Sequence, residues 1–129
     1  MELTTIYERI DANRQHMLDL WQELVNADCG SYNKAGVDAV GKRVAAFLEE
    51  NGMTVRFHTC ETRGDLLIAE SGDITKPFVL FVGHLDTVFK DGTAAERPFT
   101  IRDGKAYGTG VLDMKGGIVI ALYVMKLMK

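Results

Sequence analysis

His84 and Asp86 stand two apart at the end of an apolar run, VLFVGHLDTVF, Val79 to Phe89. A neutral imidazole is a ligand for transition metals, and a carboxylate beside it fixes the ring orientation and raises its basicity. In an extended chain, residues i and i+2 point to the same side, so His84 and Asp86 face one space. Taken alone the pattern is short. A histidine satisfied by hydrogen bonds at a strand end, with Asp86 opening a turn, accounts for it better.

A second acidic residue sits in unusual company. In GTGVLDMKGG, Asp113 is flanked by Gly108, Gly110, Gly116 and Gly117. Glycines permit backbone conformations closed to other residues and close approach to a ligand. Such a loop can hold a carboxylate over a site, or be an ordinary connection ahead of a helix. Gly108-Thr109-Gly110 also opens like a dinucleotide-binding fingerprint, but Asp113 stands where the third glycine belongs and would meet a pyrophosphate with negative charge. Anion binding at the helix start Gly116-Gly117 suffers from the same neighbour.

The elements that must position these residues follow from periodicity. Ile6, Ile10, Met17, Trp21, Leu24 and Val25 recur at helical spacing and predict a helix from about Thr4 to Asn26; Val37, Val40, Val44, Phe47 and Leu48 predict another from about Val37 to Asn51. NADCGSYNKAG between them reads as a loop, and Gly52 suits a helix C-terminus. The period then changes to two. Met53, Val55 and Phe57 alternate with polar residues as in a half-buried strand, LLIA within Asp65–Glu70 is a second, and Phe78–Val82 a third. The third lacks polar alternation, which predicts burial on both faces at the centre of a sheet, with His84 and Asp86 at its carboxyl end, where open α/β sheets bind ligands. PFTIRDGKAY predicts a hairpin turning at Asp103-Gly104. From about Gly116 the chain is helical and nearly all apolar, a pattern that runs to Lys129 without a stop signal. Its face around Ile118, Leu122 and Met125 is expected to lack part of its cover. The predicted fold is α/β, a mixed sheet flanked by helices.

The totals narrow the function. A chain of 129 residues fits one domain, and 15 basic against 18 acidic residues give a formal charge of −3. That balance predicts neither a nucleic-acid nor a membrane partner, since both call for a cationic surface. The charged N-terminus MELTTIYERIDANRQ does not read as a signal peptide. Cys29 and Cys60, 31 positions apart, read as reduced thiols and a cytoplasmic setting. His16 and His58 fall on polar phases of their elements and read as surface residues.

GHLDTVF followed by LDMKGG, 23 positions after Phe89, resembles the paired motifs of the dinuclear zinc peptidases of the M20 family. DCGSYNKAGVDAVGKRVAAFLEENGM and PFTIRDGKAYGTGVLDMKGG resemble its glutamate carboxypeptidase branch in particular, and the resemblance extends from about Leu20 onward. It implies that His84 binds one zinc, that Asp113 bridges two, that Asp86 supports His84 from behind as part of the catalytic apparatus, and that the Asp113–Met114 peptide is cis. It also implies two Zn2+ per complete site, with Co2+ as a substitute, a small-molecule or peptide substrate bearing a free carboxylate, and a homodimer for the complete protein.

One feature departs from the family pattern, which continues with a Glu-Glu pair supplying a general base and a ligand, then a further acidic ligand and a distal histidine. Glu49-Glu50 precedes His84 and fits a solvated helix face. Residues 1–129 are therefore expected to be the N-terminal part of the catalytic domain, without the dimerisation domain and with half a site. The expected function is zinc-dependent hydrolysis of an amide or peptide bond, by a glutamate carboxypeptidase or an N-acyl-amino-acid deacylase. The alternative is a non-catalytic α/β module with a half-formed metal site. A phosphoesterase would call for another histidine-bearing metal motif, which the sequence lacks.

Overall fold

Three helices meet around Leu20, Leu24, Val40, Val44, Phe47 and Leu122, the centre of the apolar core. The computed structural model describes residues 2–127. Helix α1 (Leu3–Val25) ends one residue before Asn26, and α2 (Lys34–Glu50) ends one residue before Asn51, close to the predicted limits. The start of α2 lies a turn earlier than the apolar stripe predicts, because Asn33 caps it: its side-chain oxygen accepts from the Gly36 amide at 2.9 Å. Strands β1 (Thr54–His58) and β2 (Leu66–Glu70) form an antiparallel pair with Val55 opposite Ala69. Met53, Val55, Leu67 and Ala69 turn toward the core, while Phe57 and Leu66 remain exposed.

After a short helix α3 (Thr93–Glu96), β3 (Thr100–Arg102) pairs with β4 (Lys105–Tyr107). Arg102 faces Lys105 across Asp103 (φ 51°) and Gly104 (φ 70°), the paired positive angles of the predicted two-residue hairpin turn. The chain then makes one wide turn, Val111–Lys115, that departs from helical geometry at Asp113 and Met114, and enters α4 (Gly116–Leu127). The helical pattern's last two residues, 128 and 129, lie outside the described residues. Phe47 and Tyr123 bring α2 and α4 together, ring centroids 5.2 Å apart.

The α/β character is as expected, but its sheet is not. The strands among the described residues form two separate antiparallel pairs, and a single parallel bridge, Gly30 with Thr87, stands apart from both. Phe78–Val82, predicted as the central strand buried on both faces, pairs with no strand among the described residues. Phe78 is 69% exposed and Val82 82%. The lack of polar alternation states what this segment would bury against a neighbour on either side, and no described strand lies beside it. The cover on α4 also differs from expectation. Leu122 is buried and Ile118 packs against the core, whereas Ile120 and Val124 face outward. No helix among the described residues is long and apolar enough to cross a membrane.

Candidate metal centre

His84, Asp86 and Asp113 meet at the mouth of a cavity of about 280 Å³ that is also lined by Ser31, Thr87, Phe89, Gly110 and Val111. His84 Nε2 lies 3.0 Å from Asp113 Oδ1. On the other side of the ring, Nδ1 lies 3.0 Å from the Asp86 carbonyl oxygen and 3.2 Å from Asp86 Oδ1. Two acceptors on Nδ1 favour the tautomer with its hydrogen there, which leaves the Nε2 lone pair directed at Asp113. The second Asp86 oxygen accepts from Ser31 Oγ at 2.5 Å. Both Asp86 oxygens thus have partners, which suits a residue that orients the imidazole. Asp113, by contrast, is 85% exposed at its side chain, and its carboxylate is open to a ligand on the cavity side.

The two segments are brought together by close backbone approach. Gly83 lies so near the loop that a Cβ there would stand 2.9 Å from Ile118 Cδ1 and 3.1 Å from Met114 Cε. Gly110, at φ +67°, would press a Cβ within 2.6 Å of Thr87 Cγ2. The Asp113–Met114 peptide is cis, as the resemblance implies.

A third segment, at the end of α1, anchors both. Thr87 N donates to Cys29 O and Ser31 N to Thr87 O, each at 2.9 Å. On the loop side, Thr109 Oγ1 donates to Val25 O at 3.0 Å, and Lys115 Nζ donates to Leu24 O at 2.5 Å and Ala27 O at 3.1 Å. Trp21 Nε1 donates to Val111 O at 3.2 Å. Lys115 is only 1% exposed; its head satisfies carbonyls left open where α1 ends. Neither Ser31 nor Lys115 is marked by sequence spacing, since their partners lie 55 and 91 positions away.

His84 titrates above the ordinary histidine value of 6.5. Partial burial alone would lower it, but hydrogen bonds with the Asp113 carboxylate and Asp86, together with their negative charges, outweigh that burial. His16 and His58 are exposed and stand apart from the site, and Cys29 and Cys60 are free. Cys29 is buried, its thiol 3.3 Å from Leu85 O.

The donors fit a divalent transition metal in kind and spacing. A nitrogen and a carboxylate oxygen 3.0 Å apart can both reach one ion at roughly 2.1 Å. They do not fit in number: zinc takes three or more protein ligands, and the described residues contain no group of three His, Cys, Asp or Glu side chains able to hold a metal.

A histidine opposed to a loop carboxylate is a pair of donors that suits a transition metal. Residues 80–129, which carry it, match peptidase family M20/M25/M40. The chain is 33% identical over 110 residues to carboxypeptidase G2 of Pseudomonas sp. (strain RS-16), covering 84% of this chain and 26% of that protein. It is 35% identical over 108 residues to acetylornithine deacetylase of Proteus mirabilis (strain HI4320), covering 77% of this chain and 28% of that protein. The chain is thus similar to M20 peptidases, carboxypeptidase G2 among them, and spans about a quarter of the length of these relatives.

Proposed function

We propose that the chain supplies one wall of the dinuclear zinc centre of an amide-bond hydrolase acting on an N-acyl amino acid or a C-terminal glutamate amide. The observation that carries this reading is the 3.0 Å approach of His84 Nε2 to Asp113 Oδ1, within the segment that matches the peptidase family. His84 and Asp113 would hold the metal, and Asp86 would hold the imidazole in place. Zinc, when bound, supplies Lewis-acid polarisation of a carbonyl and makes a water more acidic. Val88, Phe89, Val111 and Leu112 line the same cavity and would offer apolar surface to the substrate beside the scissile bond. The general base and the remaining ligands are assigned to polypeptide other than these 129 residues.

The test is the reading frame beyond codon 129 and the polypeptide it encodes. An in-frame Glu-Glu pair, and zinc-dependent release of glutamate from an N-acylglutamate that is lost with His84→Ala and with Asp113→Asn, would support the proposal. Hydrolysis indifferent to both substitutions would overturn it. The second reading, a non-catalytic module, rests on the shortage of ligands among the described residues. A stop codon directly after Lys129, with zinc binding no tighter in the chain than in His84→Ala, would favour it.

A further inference from the structure

We infer that Ser31 is a positioning residue for the His84 imidazole, acting through Asp86. The Ser31 hydroxyl has two acceptors in reach, Asp86 Oδ2 at 2.5 Å and Thr87 O at 3.2 Å. A hydroxyl has one hydrogen to donate, and the shorter contact, to a charged acceptor, takes it. That bond fixes one carboxylate oxygen and so sets the plane of the other. Asp86 Oδ1 is thereby held 3.2 Å from His84 Nδ1.

The ring is pulled from two sides. Asp113 Oδ1 at 3.0 Å from Nε2 favours a hydrogen on that nitrogen; Asp86 favours it on Nδ1. A neutral imidazole carries one ring hydrogen, so the balance between the carboxylates decides whether Nε2 presents a lone pair. Ser31 tips that balance toward the form that can ligate. The Asp86 carbonyl oxygen, 3.0 Å from Nδ1, acts in the same direction, which makes the Ser31 contribution partial.

Ser31 is well placed for this because its own backbone is held. Its amide donates to Thr87 O at 2.9 Å, and Asn33 N donates to Gly30 O at 2.8 Å, closing the turn around it. The hydroxyl therefore approaches Asp86 from a backbone tied to the very segment that carries His84. The inference rests on the metal reading of His84 for its purpose, but its test requires neither metal nor turnover.

The experiment is ring-nitrogen NMR of His84 in the purified 129-residue chain at about pH 9, above the ordinary histidine range. The Nδ1–H form should predominate in the unsubstituted protein. Ser31→Ala should lower the ratio of Nδ1–H to Nε2–H by about tenfold, the scale of one charge-assisted hydrogen bond, and Ser31→Thr, which keeps the hydroxyl, should restore it. In an Asp86→Ala background, Ser31→Ala should change nothing further, since the mediator is gone. If Ser31→Ala does not fold by circular dichroism, Ser31→Thr against Ser31→Val makes the same comparison at matched size. An unchanged ratio in the variant lacking the hydroxyl, or an equal change with and without Asp86, overturns the inference. Zinc titration of the same proteins tests the metal reading separately, so failure of one is distinguishable from failure of the other.

Discussion

Lys115→Met is the substitution that best separates fold from site. Lys115 is buried to 1% exposure, its Nζ donating to Leu24 O and Ala27 O. Methionine keeps the length and apolar stem of the side chain and removes the donors, so little cavity forms. What is lost is the partner of two carbonyls. Each buried polar group left unmade costs about 1–3 kcal/mol. Leu24 O keeps weak donors in Asn26 N and Ala27 N, so most of the loss falls on Ala27 O. Against it stands the relief of no longer burying a polar amine, which is favourable when the replacement is apolar. The carbonyls win, because Leu24 is buried and Ala27 half-buried whichever side chain fills the site, and Ala27 O loses its donor. The net is a destabilisation of about 2 kcal/mol, or a fall in Tm of roughly 8 °C for a domain of this size. Urea unfolding followed by circular dichroism measures it. Lys115→Met as stable as the parent would show that burying the amine costs as much as its two hydrogen bonds return, and that apolar packing with the Thr109 and Trp21 hydrogen bonds suffices to hold the glycine loop on α1.

Gly110→Ala should cost roughly 2 kcal/mol or more, from the left-handed backbone and from the contact with Thr87 Cγ2; Thr87→Ser, which removes that methyl, should recover part of the loss in a thermal melt. Asn33→Ala should cost about 1 kcal/mol by removing the cap on α2, read as a lower urea midpoint. The cluster Lys34, Asp38 and Asp65 should give a pH dependence with a defined sign. Lys34 titrates above 10.5 chiefly through its hydrogen bond to Asp65, so its contribution is complete below that value and lost as pH rises through the raised one. Asp38 and Asp65 titrate below 3.8, chiefly through the Asp65 amide and the Lys34 amine respectively, so their contribution is present above 3.8 and lost as pH falls through the lowered values. The gap in urea midpoint between the parent and Lys34→Met should therefore be wider at about pH 7 than at about pH 2; a gap that is the same at both would refute the charge coupling.

The parts of this molecule legible in its sequence are those set by neighbours along the chain. The stripes of α1 and α2 and the Asp103-Gly104 turn depend on spacings of a few residues, and they lie where spacing puts them. The start of α2 was hidden because a capping asparagine in a turn-rich stretch looks like more loop. Phe78–Val82 misled for a different reason. An apolar run reports how much surface a strand can bury, not whether a neighbour is present to bury it, and here the segment stands exposed. His84 and Asp86 could be paired from their spacing alone; joining Asp113 to them took the family resemblance. Ser31, Thr109 and Lys115 could not be found at all, because their partners are distant in sequence and their residue types are common in loops.

Those unmarked residues bear on why the site is in register within this chain. His84 and Asp113 come from segments 29 positions apart, and neither contacts the other through a shared strand. Each is instead tied to the stretch from Leu24 to Ser31: the first through Thr87, Cys29 and Ser31, the second through Thr109 and Lys115. Two arms fixed to one short, hydrogen-bonded base have little freedom to separate without breaking bonds to buried carbonyls, each costly to leave unmade. A ligand pair held this way is spaced by the protein before any ion arrives, so a metal binding here would not have to order both arms itself. The same construction explains the division of labour between the two aspartates. Asp86 lies on the anchored side, both its oxygens engaged by Ser31 and His84, whereas Asp113 lies at the outer edge of its loop with its carboxylate open to the cavity, the position that the proposed ligand role calls for.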